Sequence, residues 1–227
     1  MKKVREIPSF VYDPSCVLYV PFWKRDGITF ISDDAFGHLC TVTDATWGIQ
    51  GRSYDDVGDQ IISANSTAFE VTSSTGFTLG CWVKKTAADQ SMLGIGFCNN
   101  PTQSQRMELW VQQNDAGSNF VYVFSTSGGG SSSIAAISAG AWHQLVVSQA
   151  SNATGNNCLV YLDGVLYASV AVLGYPTWTG GTIACAIGNN ANSLPFKGTY
   201  GEAFAFNRGI IAQEIQRNYQ ATKWRYK

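Results

Sequence analysis

Between Cys158 and Val170 the chain reads CLVYL-DG-VLYASV, two alternating runs of β-formers joined by Asp163-Gly164. An Asp-Gly pair tolerates positive φ at both central positions, as a type I′ turn demands, so the segment predicts a tight antiparallel hairpin. The same pattern recurs along the chain. Short runs rich in Val, Ile, Phe, Tyr and Thr are separated by Gly, Asn, Ser and Asp clusters, with 23 glycines and only 14% charged residues. Strands are predicted at 17–22, 38–43, 60–63, 78–84, 107–112, 120–125, 142–148, 182–187 and 199–207. Only 211–219 reads as helical, with Ile211, Ile215 and Tyr219 in one apolar stripe. Roughly a dozen short strands without intervening helices predict an all-β sandwich or jelly roll, because pairing two sheets hides their faces and edges.

A hydrophobic content of 45% with 13% aromatics supports one sizeable core in 227 residues. The low-complexity stretch STSGGGSSS at 125–133 is closely flanked by strand-like segments and reads as a loop. The expected organisation is an arm at 1–14, one domain at 15–220 and a basic tail at 221–227. Fifteen basic and sixteen acidic residues leave a net charge of −1, which gives no electrostatic basis for a nucleic-acid or anionic-membrane surface. Basic residues do gather at the ends, as Lys2, Lys3 and Arg5, then Arg217, Lys223, Arg225 and Lys227. Such ends are either solvated or docked on an acidic partner, in an assembly or a homo-oligomer. No run of about 18 apolar residues is present to cross a bilayer. The start MKKVREIPSFVYDPS lacks the apolar core of a secretory signal, so synthesis in the cytoplasm without a signal peptide is expected. Six scattered cysteines, no C-x-x-C and two histidines exclude a recognisable zinc framework. The cysteines read as small buried hydrophobes, although an even count permits disulfides.

Several segments share an order and spacing: VLYVPF, ATWGIQGRSYDDVGDQI at 45–61, FTLGCWVKK at 77–85, AWHQLVVS at 141–148, VYLDGVLYAS at 160–169, then IGNN, FKGTYGEAFAFNRGI and QEIQRNY. Together they resemble the laminin G-like branch of the concanavalin A-like lectin/glucanase superfamily, from about 17 to 219. The resemblance implies a jelly roll of two curved antiparallel sheets with one short C-terminal helix. The ending EIQ-N-Y-x-A-T-K also resembles tailed-phage and environmental-virus proteins of this fold. Because the fold hosts lectins, glycosidases, adhesion domains and virion parts, function must come from the site.

Glucanases of this superfamily carry an E-x-D-x-x-E strand that sets acid, base and supporting carboxylate on one face. The comparable strand here, MELWVQQ, has Glu108 alone, so a two-carboxylate mechanism has no support from it. There is no G-x-S-x-G elbow, and neither His38 nor His143 has local spacing to a nucleophile, so His143 in the W-H pair reads as structural. Alternation in MELWVQQ sends Met107, Leu109 and Val111 to the core, and Glu108, Trp110 and Gln112 to the other face. An indole beside a carboxylate and an amide suits a sugar, whose C–H-rich face stacks while its hydroxyls hydrogen-bond. Cover by a loop or a subunit interface is the competing reading. Trp178 in GYPTWTGG is either a loop ligand contact or a plug over the core. Trp23, Trp47, Trp82 and Trp142 lie in strand-like segments and are expected in the core.

YDDVGDQI places Asp55, Asp56 and Asp59 in one turn and resembles the family's calcium segment F-D-G-x-D-D-Y. The late G-x-x-D-E strand that assists in relatives is reduced here to Gly201-Glu202, and Gly58 replaces an acid. Asp55 and Asp59 are the candidate ligands, with a self-capping turn as the alternative. The expected function is a non-catalytic jelly roll, a virion-type or surface-associated projection that binds glycans. A free-standing lectin-like module is the alternative, and a glycoside hydrolase the remaining one.

Overall fold

The computed structural model describes residues 13–55, 58–86, 94–99, 105–113, 119–126, 132–133, 137–178, 182–188 and 196–227, with 112–113, 119–120 and 132–133 as backbone only. Two antiparallel sheets face each other. Their strands are β1 (Cys16–Pro21), β2 (Thr29–Ile31), β3 (Leu39–Thr43), β4 (Thr46–Gly48), β5 (Gly51–Tyr54), β6 (Gln60–Ser63), β7 (Phe77–Lys85) and β8 (Ile95–Asn99). They continue with β9 (Arg106–Gln113), β10 (Asn119–Ser125), β11 (Ser132–Ser133), β12 (Trp142–Gln149), β13 (Cys158–Leu162), β14 (Val165–Val170), β15 (Ile183–Gly188) and β16 (Gly198–Phe206). One sheet runs β14-β13-β12-β7-β16-β5-β4, with β1 also on β16; the other runs β11-β10-β9-β8-β15-β6-β3-β2. The chain is therefore the expected all-β sandwich of two antiparallel sheets with one C-terminal helix, α1 (Ala212–Thr222).

Alternation builds the core between the sheets. Phe77, Leu79, Cys81 and Val83 of β7 meet Met107, Leu109 and Val111 of β9, all fully buried. The hairpin forms as its turn chemistry requires: Asp163 and Gly164 have φ of +53° and +77°, and β13 pairs with β14 across them. Five short strands, β2, β4, β5, β8 and β11, escape the sequence reading. Two of them, β2 and β4, are three-residue edges, and β11 takes up Ser132 and Ser133 of the stretch expected to be a loop. All six cysteines are buried thiols without disulfides. Burial pushes the thiols of Cys40, Cys98 and Cys158 up to about 12, so they pack as apolar groups and are poor nucleophiles.

The outer face of the first sheet carries a second apolar layer made by the C-terminus. Trp82 is buried, stacks on Tyr219 (5.5 Å) and Tyr226 (4.5 Å), and donates its indole N–H to Thr222 Oγ1 at 2.9 Å. Gly80 and Gly201 permit this cover. A Cβ on Gly80 would stand 2.2 Å from the Phe204 ring, and one on Gly201 2.2 Å from the Tyr226 ring. Residues 221–226 are thus part of the folded layer rather than a solvated tail. Ile211, expected in the helix stripe, is 60% exposed at the N-cap, and the buried helix residues are Ile215, Asn218, Ala221 and Thr222. The Glu214 carboxylate accepts the Ile211 N–H at 3.0 Å and closes the first turn.

Candidate functional site

β9 positions the site that alternation singled out. Opposite its core-facing Met107, Leu109 and Val111 stand Arg106, Glu108 and Trp110, and β10 sets Tyr122 across from Trp110 and Phe124 across from Glu108. Trp110 stacks on Phe124 with ring centroids 5.2 Å apart, and Arg106 lies 5.7 Å above the same Phe124 ring. Trp110, Tyr122 and Phe124 are all partly exposed. They form a short aromatic platform on the outer face of the second sheet, bordered by the small buried side chains Cys98 and Ala186.

Glu108 departs from its expected role as an open hydroxyl partner. It is 1% exposed, and its Oε2 accepts the Trp110 indole N–H at 2.6 Å, while Arg106 Nη1 stands 3.8 Å from Oε1. The cause is Gly96 on β8, directly across from Glu108: a Cβ there would lie 2.5 Å from Glu108 Cγ, so only glycine leaves room for the acid to lie flat. Glu108 therefore fixes the tilt of the indole and presents no free carboxylate. The backbone of Gln112 continues β9, and its side chain lies outside the described residues. Trp178 packs against the core and donates its indole N–H to the Val71 carbonyl at 2.9 Å, so it is held as a plug and is not part of the aromatic platform.

In the Asp55 to Asp59 turn one carboxylate is used within the turn itself. Asp59 is buried, and its Oδ2 accepts the backbone N–H of Asp55 at 2.5 Å, which closes the turn from within. Asp56 lies outside the described residues. Among the described residues no three Asp, Glu, His or Cys side chains assemble a metal set, whereas calcium takes six to eight oxygens.

Three features were missed in the sequence. Ser138 Oγ lies 2.8 Å from His143 Nε2, His143 Nδ1 lies 2.9 Å from Asp163 Oδ2, and Asp163 Oδ1 accepts the Gln144 N–H at 2.9 Å. The connectivity is that of a serine–histidine–aspartate relay. Its residues come from the approach to β12, from β12 itself and from the β13–β14 turn, so it pins that turn to the strand start. The nearby Gly140 N–H is donated to the Lys85 carbonyl at 2.8 Å and is not free to hold an oxyanion.

The second missed feature is Glu202, fully buried on β16. Its Oε1 accepts Arg225 Nη1 at 2.5 Å and the Trp23 indole N–H at 3.3 Å. Burial raises its carboxyl above the ordinary range, and Arg225 opposes that shift. The third is a cavity of about 470 Å³ lined by Trp23, Ile49, Gln50, Trp224, Arg225 and Tyr226. Trp47 and Trp23 correct the expectation that the tryptophans lie in the core. Trp47 is 43% exposed on the edge strand β4, and Trp23 is partly exposed in the 3-10 turn Phe22–Lys24, because the strand before it ends at Pro21. Trp82, buried, and Trp142, half-buried, pack beneath Tyr226 on the outer face of the first sheet rather than between the sheets.

With this geometry in hand, comparisons with known proteins bear on the fold. Trypanosoma rangeli sialidase is similar over 95% of this chain and 34% of its own, at 15% identity and a TM-score of 0.70. The chain thus spans about a third of the sialidase structures it matches. Domain 4 of AbnA, an extracellular arabinanase from Geobacillus stearothermophilus solved in complex with arabinotriose, is similar over 90% of this chain and 98% of its own, at 16% identity and a TM-score of 0.61. The binding domain of botulinum neurotoxin serotype G covers 90% of this chain and half of its own, at 16% identity and a TM-score of 0.58. No curated protein sequence matches. At such identities these structures share the fold alone. A family model, Laminin_G_3, described as concanavalin A-like lectin/glucanases superfamily, matches residues 55–216, well over half of the chain. The chain belongs to the concanavalin A-like lectin/glucanase superfamily.

Proposed function

We propose that this protein is a non-catalytic glycan-binding module that uses the platform of Trp110, Tyr122 and Phe124. The observation that carries the reading is the orientation of Trp110: a partly exposed indole, held by Phe124 stacking and by the buried Glu108 carboxylate. Such pre-ordering reduces the entropic cost of stacking a sugar ring on it. The sugar ligands named with the sialidase and arabinanase structures accord with this reading without carrying it. Because Glu108 is occupied by the indole N–H, the face binds through ring stacking and does no acid–base chemistry. Binding requires no calcium.

Affinity electrophoresis through gels containing soluble arabinans, xylans, galactans or sialylated mucins tests this. Retardation in at least one gel is expected, unchanged by a chelator and weakened about tenfold or more by Trp110→Ala. Recovered polysaccharide keeps its chain length, and Ser138 stays unlabelled by a fluorophosphonate. Equal retardation of wild type and Trp110→Ala, or release of reducing ends, contradicts the proposal.

A second reading, a component of a protein assembly, is favoured by one specific surface. The edge strands and their neighbours expose Ile28 (79%), Ile31 (49%), Leu39 (49%) and Ile49 (86%). Monomers seldom leave apolar side chains along open sheet edges. This adds the sheet edges to the basic ends as docking surfaces; of the basic residues at the C-terminal end, Arg225 is paired with Glu202. An assembly component shows concentration-dependent mass in sedimentation that Ile28→Lys with Ile49→Lys abolishes; a monomer at every concentration speaks against it.

A further inference from the structure

We infer a second ligand site, independent of the platform and on the opposite sheet: the cavity between the 3-10 turn at Phe22–Lys24, the β4–β5 turn and the C-terminal residues binds an acidic pyranose. Its volume, about 470 Å³, lies in the range of small-ligand sites and exceeds what one sugar ring occupies. Its walls are aromatic. The Arg225 guanidinium lies 4.6 Å from the Trp23 ring centroid and 4.7 Å from that of Trp224, so it is layered between two indoles. Trp224 remains 45% exposed and Ile49 86% exposed, which leaves apolar surface for the C–H face of a ring.

The layer is rigid for reasons already in the fold. Arg225 is tied to the fully buried Glu202, which also accepts the Trp23 indole N–H. Trp224 donates its own indole N–H to the Ala221 carbonyl at 2.9 Å. Tyr226 is buried against Trp82 and over Gly201. A site that is ordered before the ligand arrives loses little entropy on binding.

Charge selects the ligand. Glu202 is the carboxylate in contact with this wall, and it is buried and paired with Arg225. Arg25 is paired with Asp33. The Lys24 ammonium, on an exposed residue, sits 4.8 Å from the Trp23 ring centroid. Cations beside an apolar ring platform complement a sugar that carries a carboxylate, such as a uronate or a sialic acid, better than a neutral one. The contact is close to solvent, so its charge contribution falls with added salt.

Calorimetric titration of the full chain with trigalacturonate, a glucuronate oligomer and sialyllactose tests the inference, with the methyl ester of each as the uncharged control. At least one acid binds, and its ester binds about tenfold more weakly. Trp224→Ala and Lys24→Gln, both at exposed positions, each weaken the acid by a similar factor, whereas Trp110→Ala leaves it unchanged. Equal binding of acid and ester overturns the charge argument. Binding that survives Trp224→Ala, or that is lost in Trp110→Ala, overturns the site, and so does the absence of heat with all three acids at millimolar concentration. The glycan reading of the platform can fail while this one holds, because the two sites are removed by different substitutions.

Discussion

Arg225→Met lowers the stability of the folded chain by about 3–5 kcal/mol at neutral pH, since it leaves the Glu202 carboxylate buried without its cation. Glu202 is fully buried, and Arg225 is its charged partner at 2.5 Å. The pH dependence has a definite sign. Burial raises the Glu202 carboxyl in the folded chain, so its protonated form favours folding at low pH, and that favour is lost as the pH rises through the folded value. Arg225 works against the rise; without it the folded value climbs further and the loss at neutral pH deepens. Urea midpoints at neutral and mildly acidic pH check this: the gap between wild type and Arg225→Met narrows in acid. The double variant Arg225→Met with Glu202→Gln regains most of the stability, because the uncompensated charge is gone. A single variant as stable as wild type at neutral pH shows the pair to be open to water.

Trp82→Ala costs a similar amount, about 3–5 kcal/mol, because it empties a large site beneath the C-terminal cover. The indole touches Tyr219, Tyr226 and Thr222, so its removal uncouples both α1 and the residues after it from the first sheet. Amide exchange separates this from a general loss of stability. Residues 212–226 lose protection first, while β9 and β10 on the other sheet keep theirs. Trp82→Phe retains a stacking ring and loses the hydrogen bond to Thr222, so it costs only about 1 kcal/mol. Uniform loss of protection across both sheets contradicts a separable outer layer.

These two residues show what the sequence does and does not carry. The alternation of MELWVQQ is enough to assign Met107, Leu109 and Val111 to the core, since neighbouring side chains on a strand must point to opposite faces. The Asp163-Gly164 turn is equally local, because its φ values are a property of two residues. Trp82 is expected in a core and is buried, yet its partners come from residues 219–226, about 140 positions away, and no local pattern specifies that distance. Glu202 likewise draws Trp23 from 179 positions away, and Ser138, His143 and Asp163, though closer in sequence, meet only because the β13–β14 turn folds back onto the start of β12. Glu108 sits on the face that alternation assigns, but its burial is set by Gly96 on the neighbouring strand. Edge strands of three residues, β2 and β4, are too short for periodicity to register. That shortness also explains why Trp47 reads as core and is found exposed.

The central claim is that the platform on β9 and β10 binds glycans through Trp110. A glycan array probed with the full chain displayed in many copies tests it most directly, because multivalent display makes weak single-site affinity visible. The account predicts a selective set of glycans bound by wild type, unaffected by a chelator and lost when Trp110 is replaced by Ala. A Trp110→Ala protein that binds the same glycans as strongly, or a wild type that binds none in this format, contradicts it.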